Sequence, residues 1–207
     1  MPAISAPQAL ARLIEGNRRY SSNLRSVDSL LSHNLREGLQ AQRPIAIVLG
    51  CSDSRAPAET VFDQGLGDLF VIRVAGNIVA PSQVGSVEFA AERFGTRLVV
   101  VMGHTQCGAI DAAIESITSG AAPSRNLLSI VRRIRPAIED LVSTDLASDP
   151  VALRRVAVRA NVRASASHLR QGSEILERFI LTDGLLVVGA ELDLSTGQVH
   201  FFDGLPE

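Results

Sequence analysis

The sequence is poor in the features that mark secreted or membrane proteins. Its 207 residues include only two cysteines, far apart in the chain, so we expect no disulfide framework and assign the thiols to metal binding or catalysis. No apolar run reaches the length of a transmembrane helix. The first residues carry neither a basic segment nor a long apolar one, so we expect no signal peptide and a cytoplasmic location.

The chain also lacks an excess of charge of either sign. It has 20 Lys and Arg against 22 Asp and Glu, a formal net charge of -2, so we expect neither nucleic acid nor membrane as a partner. Length and composition suit one globular domain with a sizeable core. We see no repeat or linker and expect a single domain over 1–207, with an N-terminal helical arm over 1–43 and an α/β core over 44–207.

Apolar runs alternate with helical patterns along the chain. Short, mostly β-branched runs, typical of strands buried on both faces of a parallel sheet, lie at 45–49, 69–72, 98–102 and 185–188. Helical spacing of apolar residues predicts helices over 7–15, 27–42, 83–94, 107–118, 127–142, 151–169 and 173–180. A turn at 195–197 allows a last strand over 199–202. The alternation predicts an α/β fold with a mostly parallel central sheet, four parallel strands plus an antiparallel edge strand, flanked by helices.

Two short segments, each after a predicted strand, hold the reactive side chains. Cys51, Asp53 and Arg55 follow the first strand, and His104 and Cys107 follow the third. In open α/β sheets, ligands gather at the carboxyl ends of the strands, so Cys51 and His104 converge if these strands are neighbours. Two thiolates, an imidazole and a carboxylate are a tetrahedral ligand set for zinc. We therefore expect one Zn²⁺ per chain.

The spacing of the second segment supports a metal site. Cys107 comes three residues after His104, at the start of a predicted helix. One turn then allows both side chains to reach one metal, and the helix N-terminus favours a thiolate. Gly103 and Gly108 bracket the turn and permit close approach of the backbone.

Asp53 has two alternative partners. If Cys51, His104 and Cys107 are the only protein ligands, the fourth position is open to water, as in catalytic zinc sites. Asp53 closes that position if it binds the metal, and leaves it open if it forms a bidentate ion pair with Arg55. The pattern alone allows both states.

Two interpretations without zinc catalysis are also open. A structural zinc domain would bind metal and a partner but do no chemistry; the pair of Asp53 and Arg55 speaks against it, because a structural site needs neither. A redox dithiol protein would join Cys51 and Cys107 in a reversible disulfide without metal, and the nearby His104 favours metal instead.

At these residues the chain resembles the β-class carbonic anhydrases. The similar segments, spread over nearly the whole chain, are 42–44, 50–59, 65–77, 85–90, 103–109 and 187–197. The resemblance implies reversible hydration of carbon dioxide to bicarbonate and a proton by zinc-bound hydroxide. It also implies a homodimer or higher homo-oligomer, with pockets at the subunit interface and N-terminal helices that embrace the neighbour. Relatives of this fold hydrolyse carbon disulfide or carbonyl sulfide, so that activity is an open alternative.

The resemblance implies a role for each residue of the motifs. The zinc ligands are Cys51, His104 and Cys107, with Asp53 as a fourth ligand in a closed state. Arg55 holds Asp53 off the metal, and Asp53 accepts a hydrogen bond that orients the hydroxide. The residues expected to bind substrate are Gln42, through its amide, Phe70 and Phe89, as apolar walls, and Gly108.

Two positions depart from patterns found in parts of the family. Some members have a second, non-catalytic bicarbonate site around a tryptophan three residues before the first cysteine. That position is Val48 here, and the chain has no tryptophan, so we expect no regulation through that site although its Arg73 is present. Phe89 stands where some members carry tyrosine, so the pocket lacks a hydroxyl there.

Overall fold

The computed structural model describes residues 4–26, 42–120 and 123–206, and a five-stranded sheet lies at their centre. The strands are β1 (Ala46–Gly50), β2 (Leu69–Arg73), β3 (Leu98–His104), β4 (Leu186–Leu192) and β5 (Val199–Asp203). Their order is β2-β1-β3-β4-β5. The first four are parallel, and β5 pairs antiparallel with β4 at an edge. The predicted fold class is confirmed.

Helices cover both faces of this sheet. They are α1 (Ala6–Ser21), α2 (Ala58–Val61), α3 (Pro81–Phe94), α4 (Gly108–Thr118), α5 (Arg125–Val142), α6 (Pro150–Gln171) and α7 (Glu174–Thr182), with 3₁₀ turns at Ala75–Asn77 and Asp145–Ser148. The sequence did not predict α2 or the 3₁₀ turns, because three or four residues are too few to show an apolar period. The predicted helix over 27–42 falls, except for Gln42, outside the described residues. No described helix is long and apolar enough to span a bilayer.

The continuous apolar runs of the strands reflect burial on both faces. In β1, Ile47 and Leu49 pack into a cluster with residues of α3, α6 and α7. The alternate residue Val48 points to the opposite cluster, which α1 covers with Leu10 and Leu13. Because successive strand side chains face opposite ways, a strand between two layers of helices needs apolar residues at every position.

Helix α1 lies against the core of its own chain. Its first turn carries a capping box between Ser5 and Gln8, which satisfies backbone donors at the helix start. Near its end, the buried Asn17 donates to the carbonyl oxygens of Val61 and Gly197 and accepts from the N–H of Val199. These bonds fasten α1 to α2 and to the hairpin between β4 and β5.

The sheet order brings the two reactive segments together at the carboxyl ends of the parallel strands. β1 and β3 are neighbours, with Gly50 opposite Met102, so Cys51 and His104 lie at adjacent carboxyl ends. His104 is the last residue of β3, whereas the predicted strand ended at residue 102. The strand is longer than predicted because His104 pairs with Leu192 of β4.

Candidate metal centre

Three side chains converge at the carboxyl ends of β1 and β3. The Sγ atoms of Cys51 and Cys107 and a ring nitrogen of His104 all lie within 4.8 Å of one another. All three residues are buried, with exposed fractions of 6%, 4% and 1%. This is a compact cluster of soft and borderline donors with the composition of a zinc site.

The backbone sets the tautomer of His104. Nδ1 lies 2.8 Å from the carbonyl oxygen of Thr105, so we assign the ring proton to Nδ1, which donates to that oxygen. Nε2 then carries a lone pair instead of a proton, and it is buried with no hydrogen-bond partner among the described residues. An unsatisfied buried polar atom is costly, whereas a metal ligand has this arrangement, one ring nitrogen fixed by a carbonyl and the other free to bind. The site therefore fits a metal ion.

Cys107 reaches the cluster through a tight turn. Gln106 has a φ of 57°, in the left-handed region, and Cys107 follows as the N-cap of α4. Its carbonyl oxygen accepts from the N–H groups of Ile110 and Asp111. The turn thus ends at a helix N-terminus, where the backbone dipole favours the thiolate form.

Cys51 is surrounded by groups that stabilise a thiolate. The Cys107 thiol first, and then the N–H of Gly76, lower the pKa of Cys51 to about 4. The same thiol–thiol contact raises the pKa of Cys107. The two sulfurs therefore share one proton. A divalent cation bound to both would displace that proton, since metal ligation requires deprotonated thiols.

Asp53 is paired with Arg55 beside the cluster. Arg55 Nε donates to Oδ1 at 2.9 Å and Nη2 to Oδ2 at 2.8 Å, and the Arg55 backbone N–H also donates to Oδ1. The guanidinium holds the pKa of the Asp53 carboxyl well below its usual range. Oδ2 lies 3.9 Å from His104 Nε2, so the carboxylate borders the three-residue cluster without belonging to it.

The predicted substrate-binding residues fall into two groups. Gly108, the first residue of α4, is exposed next to Cys107, with open space beside it. Gln42 precedes β1 and lines a cleft with Arg12 and Arg93. This cleft lies at the amino ends of the strands, whereas the metal cluster lies at their carboxyl ends. A single chain therefore does not bring Gln42 to its own metal cluster.

Phe70 and Phe89 also lie away from the metal cluster. Phe70 pairs in register with Ile47, four residues before Cys51 and so roughly 13 Å along the strand. Its ring centroid is 6.2 Å from that of Phe89, which is 52% exposed. The two rings form an apolar surface patch on β2 and α3.

Two further residues hold the site, Gly76 and Arg73, and the sequence did not predict this role for either. Gly76, at φ 69°, donates its N–H to Cys51 Sγ at 3.3 Å. Arg73 donates to the carbonyl oxygen of Cys51 at 3.0 Å and to that of Asp53, and so braces the loop after β1. The Gly–Asn dipeptide at 76–77 marks a turn, but no spacing rule connects it to a cysteine 25 positions earlier.

The chain is similar to known carbonic anhydrases over nearly its whole length. A family model described as carbonic anhydrase matches residues 46–199. Carbonic anhydrase 2 of Mycobacterium tuberculosis is 34% identical over 98% of this chain and 96% of its own length. The carbonic anhydrase of Mycolicibacterium smegmatis is 33% identical over 97% and 95%.

Solved structures are similar along most of the chain. The β-carbonic anhydrase CafA of Aspergillus fumigatus covers 96% of this chain and 92% of its own, with a TM-score of 0.73 and 25% identity. A structure from a study of two tetrameric β-carbonic anhydrases of Sordaria macrospora has a TM-score of 0.72 at 23% identity, over 89% of this chain and 95% of its own; at that identity it supports the fold alone.

Proposed function

The chain belongs to the β-carbonic anhydrase family, and on that premise we propose that it hydrates carbon dioxide reversibly to bicarbonate and a proton, at a Zn²⁺ held by Cys51, His104 and Cys107. The observation that carries the metal assignment is the buried Nε2 of His104, which has no hydrogen-bond partner in the described part of the chain and lies within 4.8 Å of two cysteine sulfurs. When bound, zinc lowers the pKa of water enough to supply hydroxide near neutral pH.

Asp53 and Arg55 are the proposed catalytic pair. Asp53 stays anionic across the working pH range because Arg55 holds its pKa low, and an anion can only accept hydrogen bonds. Its Oδ2, next to His104 Nε2, accepts from the nucleophilic oxygen and turns a lone pair of that oxygen towards carbon dioxide. Arg55 keeps the carboxylate in this position through two parallel hydrogen bonds. In a closed state, which we also propose, Asp53 leaves Arg55 and takes the fourth ligand position.

The substrate side of the pocket is proposed to come from a second copy of the chain. Carbon dioxide is small and nonpolar, so apolar walls suit it, and Phe70 and Phe89 form an apolar patch far from their own metal cluster. Gln42, at the amino ends of the strands, would donate from its amide to a substrate oxygen in the neighbouring copy. Gly108 completes the pocket from the same chain as the metal, at a helix N-terminus that favours the bicarbonate anion.

This arrangement requires a homodimer or a higher homo-oligomer. The exposure of Phe89 supports it. We further propose that the chain acts as one domain, with 44–207 as the α/β core and 1–43 as a helical arm whose first helix, α1, packs on that core, and that it works in the cytoplasm.

A substrate comparison tests the proposed function. Protein loaded with zinc is assayed for carbon dioxide hydration, for carbonyl sulfide hydrolysis and for carbon disulfide hydrolysis, with Cys107→Ser as the metal-free control. We expect hydration to be the fastest reaction and to be absent in the control. Faster turnover of either sulfur compound would identify a sibling hydrolase. Bound zinc with no turnover of any substrate would identify a structural zinc domain.

A further inference from the structure

Helix α6 packs closely against the end of β3, beside the metal centre. At Gly103, the residue before His104, a Cβ would come within 2.7 Å of Val162 Cγ2 and 3.1 Å of Val158 Cγ1. Only glycine at this position lets α6 approach the end of β3 so closely. The helix is therefore close enough for its polar side chains to reach the backbone around the site.

Two such side chains bind the 3₁₀ turn at Ala75–Asn77. Asn161 Nδ2 donates to the carbonyl oxygen of Gly76 at 2.8 Å, and Ser165 Oγ donates to that of Asn77 at 3.1 Å. They are four residues apart and so share one face of the helix. Both are buried, at 2% and 5% exposed. Each bond satisfies a carbonyl in a part of the chain where water is scarce.

Gly76 connects Asn161 to the metal ligand. Its carbonyl oxygen accepts from Asn161, and its N–H donates to Cys51 Sγ at 3.3 Å. It cannot be replaced without strain, because its φ is 69° and a Cβ would lie 2.9 Å from Ile134 Cδ1. The orientation of this one residue therefore decides whether the sulfur of Cys51 receives the hydrogen bond from the Gly76 N–H.

We propose that Asn161 is a positioning residue for Cys51: by anchoring the Gly76 carbonyl, it aims the Gly76 N–H at the cysteine sulfur and so tunes that sulfur as a metal ligand. This inference rests on the proposed metal site. An N–H bond to a thiolate withdraws charge from the sulfur and fixes its direction. Partners of this kind typically change metal affinity by about 10- to 100-fold when they are removed. Ser165, which anchors the neighbouring carbonyl of Asn77, has no such connection to a sulfur.

The test compares Asn161→Ala with Ser165→Ala. Each variant loses one buried hydrogen bond from the same helix face to the same turn, so both should show a similar fall in Tm. Each is loaded with Co²⁺ in place of zinc, and the thiolate-to-cobalt charge-transfer band and the affinity for Co²⁺ are measured. For Asn161→Ala we expect the band to move to longer wavelength, because a thiolate with one hydrogen bond fewer donates electrons more easily. We expect the affinity to fall about 10-fold or more, because the sulfur is no longer held in the direction of the metal. For Ser165→Ala both should match the wild type.

Equal spectra and affinities in the two variants would overturn the role of Asn161. If Asn161→Ala does not fold, Asn161→Ser serves in its place, since a shorter hydroxyl also releases the carbonyl while leaving a smaller cavity; the same shift is expected and its absence overturns the proposal. A wild-type protein that binds Co²⁺ normally but, with zinc, hydrates no carbon dioxide would refute the proposed function and not this inference.

Discussion

Asp53 and Arg55 form a bidentate ion pair at the edge of the metal cluster, with Nε to Oδ1 at 2.9 Å and Nη2 to Oδ2 at 2.8 Å. Both oxygens of Asp53 are engaged, so the carboxylate is directed at Arg55 while it borders His104. With the carboxylate held in this way, the proposed zinc would have three protein ligands and an open fourth position. A catalytic zinc site requires that opening, and a structural site lacks it.

Replacing the carboxylate tests its role in turnover. In Asp53→Ala we expect zinc to stay bound, since the three ligands are untouched, and kcat to fall about 100-fold or more, because a preorganised hydrogen bond to the reacting oxygen is lost. Asp111→Ala is the matched control, since it breaks an exposed pair with Arg154 and should change neither quantity. Zinc content and stopped-flow rates check this. Full activity in Asp53→Ala would show that the carboxylate has no catalytic role.

Replacing a ligand tests the metal assignment. In Cys51→Ser or Cys107→Ser we expect zinc to fall from about one per chain to near zero after dialysis against a chelator, because a hydroxyl is a much poorer zinc ligand than a thiolate. Elemental analysis of the purified variants measures this. Retention of stoichiometric zinc in either variant would remove that cysteine from the ligand set.

The pH dependence of hydration separates the metal from the carboxylate. Arg55 lowers the folded-state pKa of Asp53, so Asp53 is already ionised above its ordinary value of about 3.9 and adds no limb near neutral pH. Two thiolates make zinc a weaker Lewis acid than three imidazoles would, so we expect the rate to rise above neutral pH. The stabilisation from the Asp53–Arg55 pair is present above about pH 3.9 and is lost as the pH falls through the lowered pKa. A rate that is flat from acid to alkaline pH would contradict this account.

A complementation experiment tests the shared pocket. Cys107→Ser lacks the metal but keeps Gln42, and Gln42→Ala keeps the metal but lacks the amide. If Gln42 serves a neighbouring copy, co-expression of the two variants should give mixed oligomers with a substantial part of the wild-type rate, although each variant alone is poor. Mixed oligomers no more active than the average of the two separate proteins would place Gln42 outside the pocket of its neighbour.

Gly103 should be intolerant of a side chain. In Gly103→Ala the added methyl would meet Val162 of α6 at 2.7 Å, and overpacking of this kind costs about 1–3 kcal/mol. Gly85→Ala is the control, because Gly85 lies within α3 with no atom near the new Cβ and alanine favours a helix. Thermal unfolding should show a lower Tm for the first variant and an unchanged or higher Tm for the second.

The sheet and the ligand cluster could be predicted because their signals are local. The apolar runs predicted the first residue of each strand to within one residue. Cys51 and His104 were expected to converge if β1 and β3 are neighbours, and the sheet order makes them so. The β4 pairing that extends β3 to His104 is a tertiary effect, invisible in a run of five apolar residues.

The contacts of Asn161 and Gly76 could not be predicted. An asparagine inside a helical pattern has the same local signature whether it faces solvent or a buried carbonyl 85 residues away. The role of Gln42 could not be tested within one chain, for a different reason. The resemblance identified Gln42 as a substrate-binding residue. Within one chain, however, it lies at the amino ends of the strands and the metal cluster at their carboxyl ends. Its proposed role therefore depends on a second copy of the chain.

The most direct test of the account is the hydration rate measured by stopped flow as zinc is titrated into metal-free protein. We predict that the rate above the uncatalysed reaction rises in proportion to bound zinc and reaches a plateau at one zinc per chain. A protein that takes up one zinc per chain and leaves carbon dioxide hydration at the uncatalysed rate would contradict the central claim that this is a catalytic zinc site.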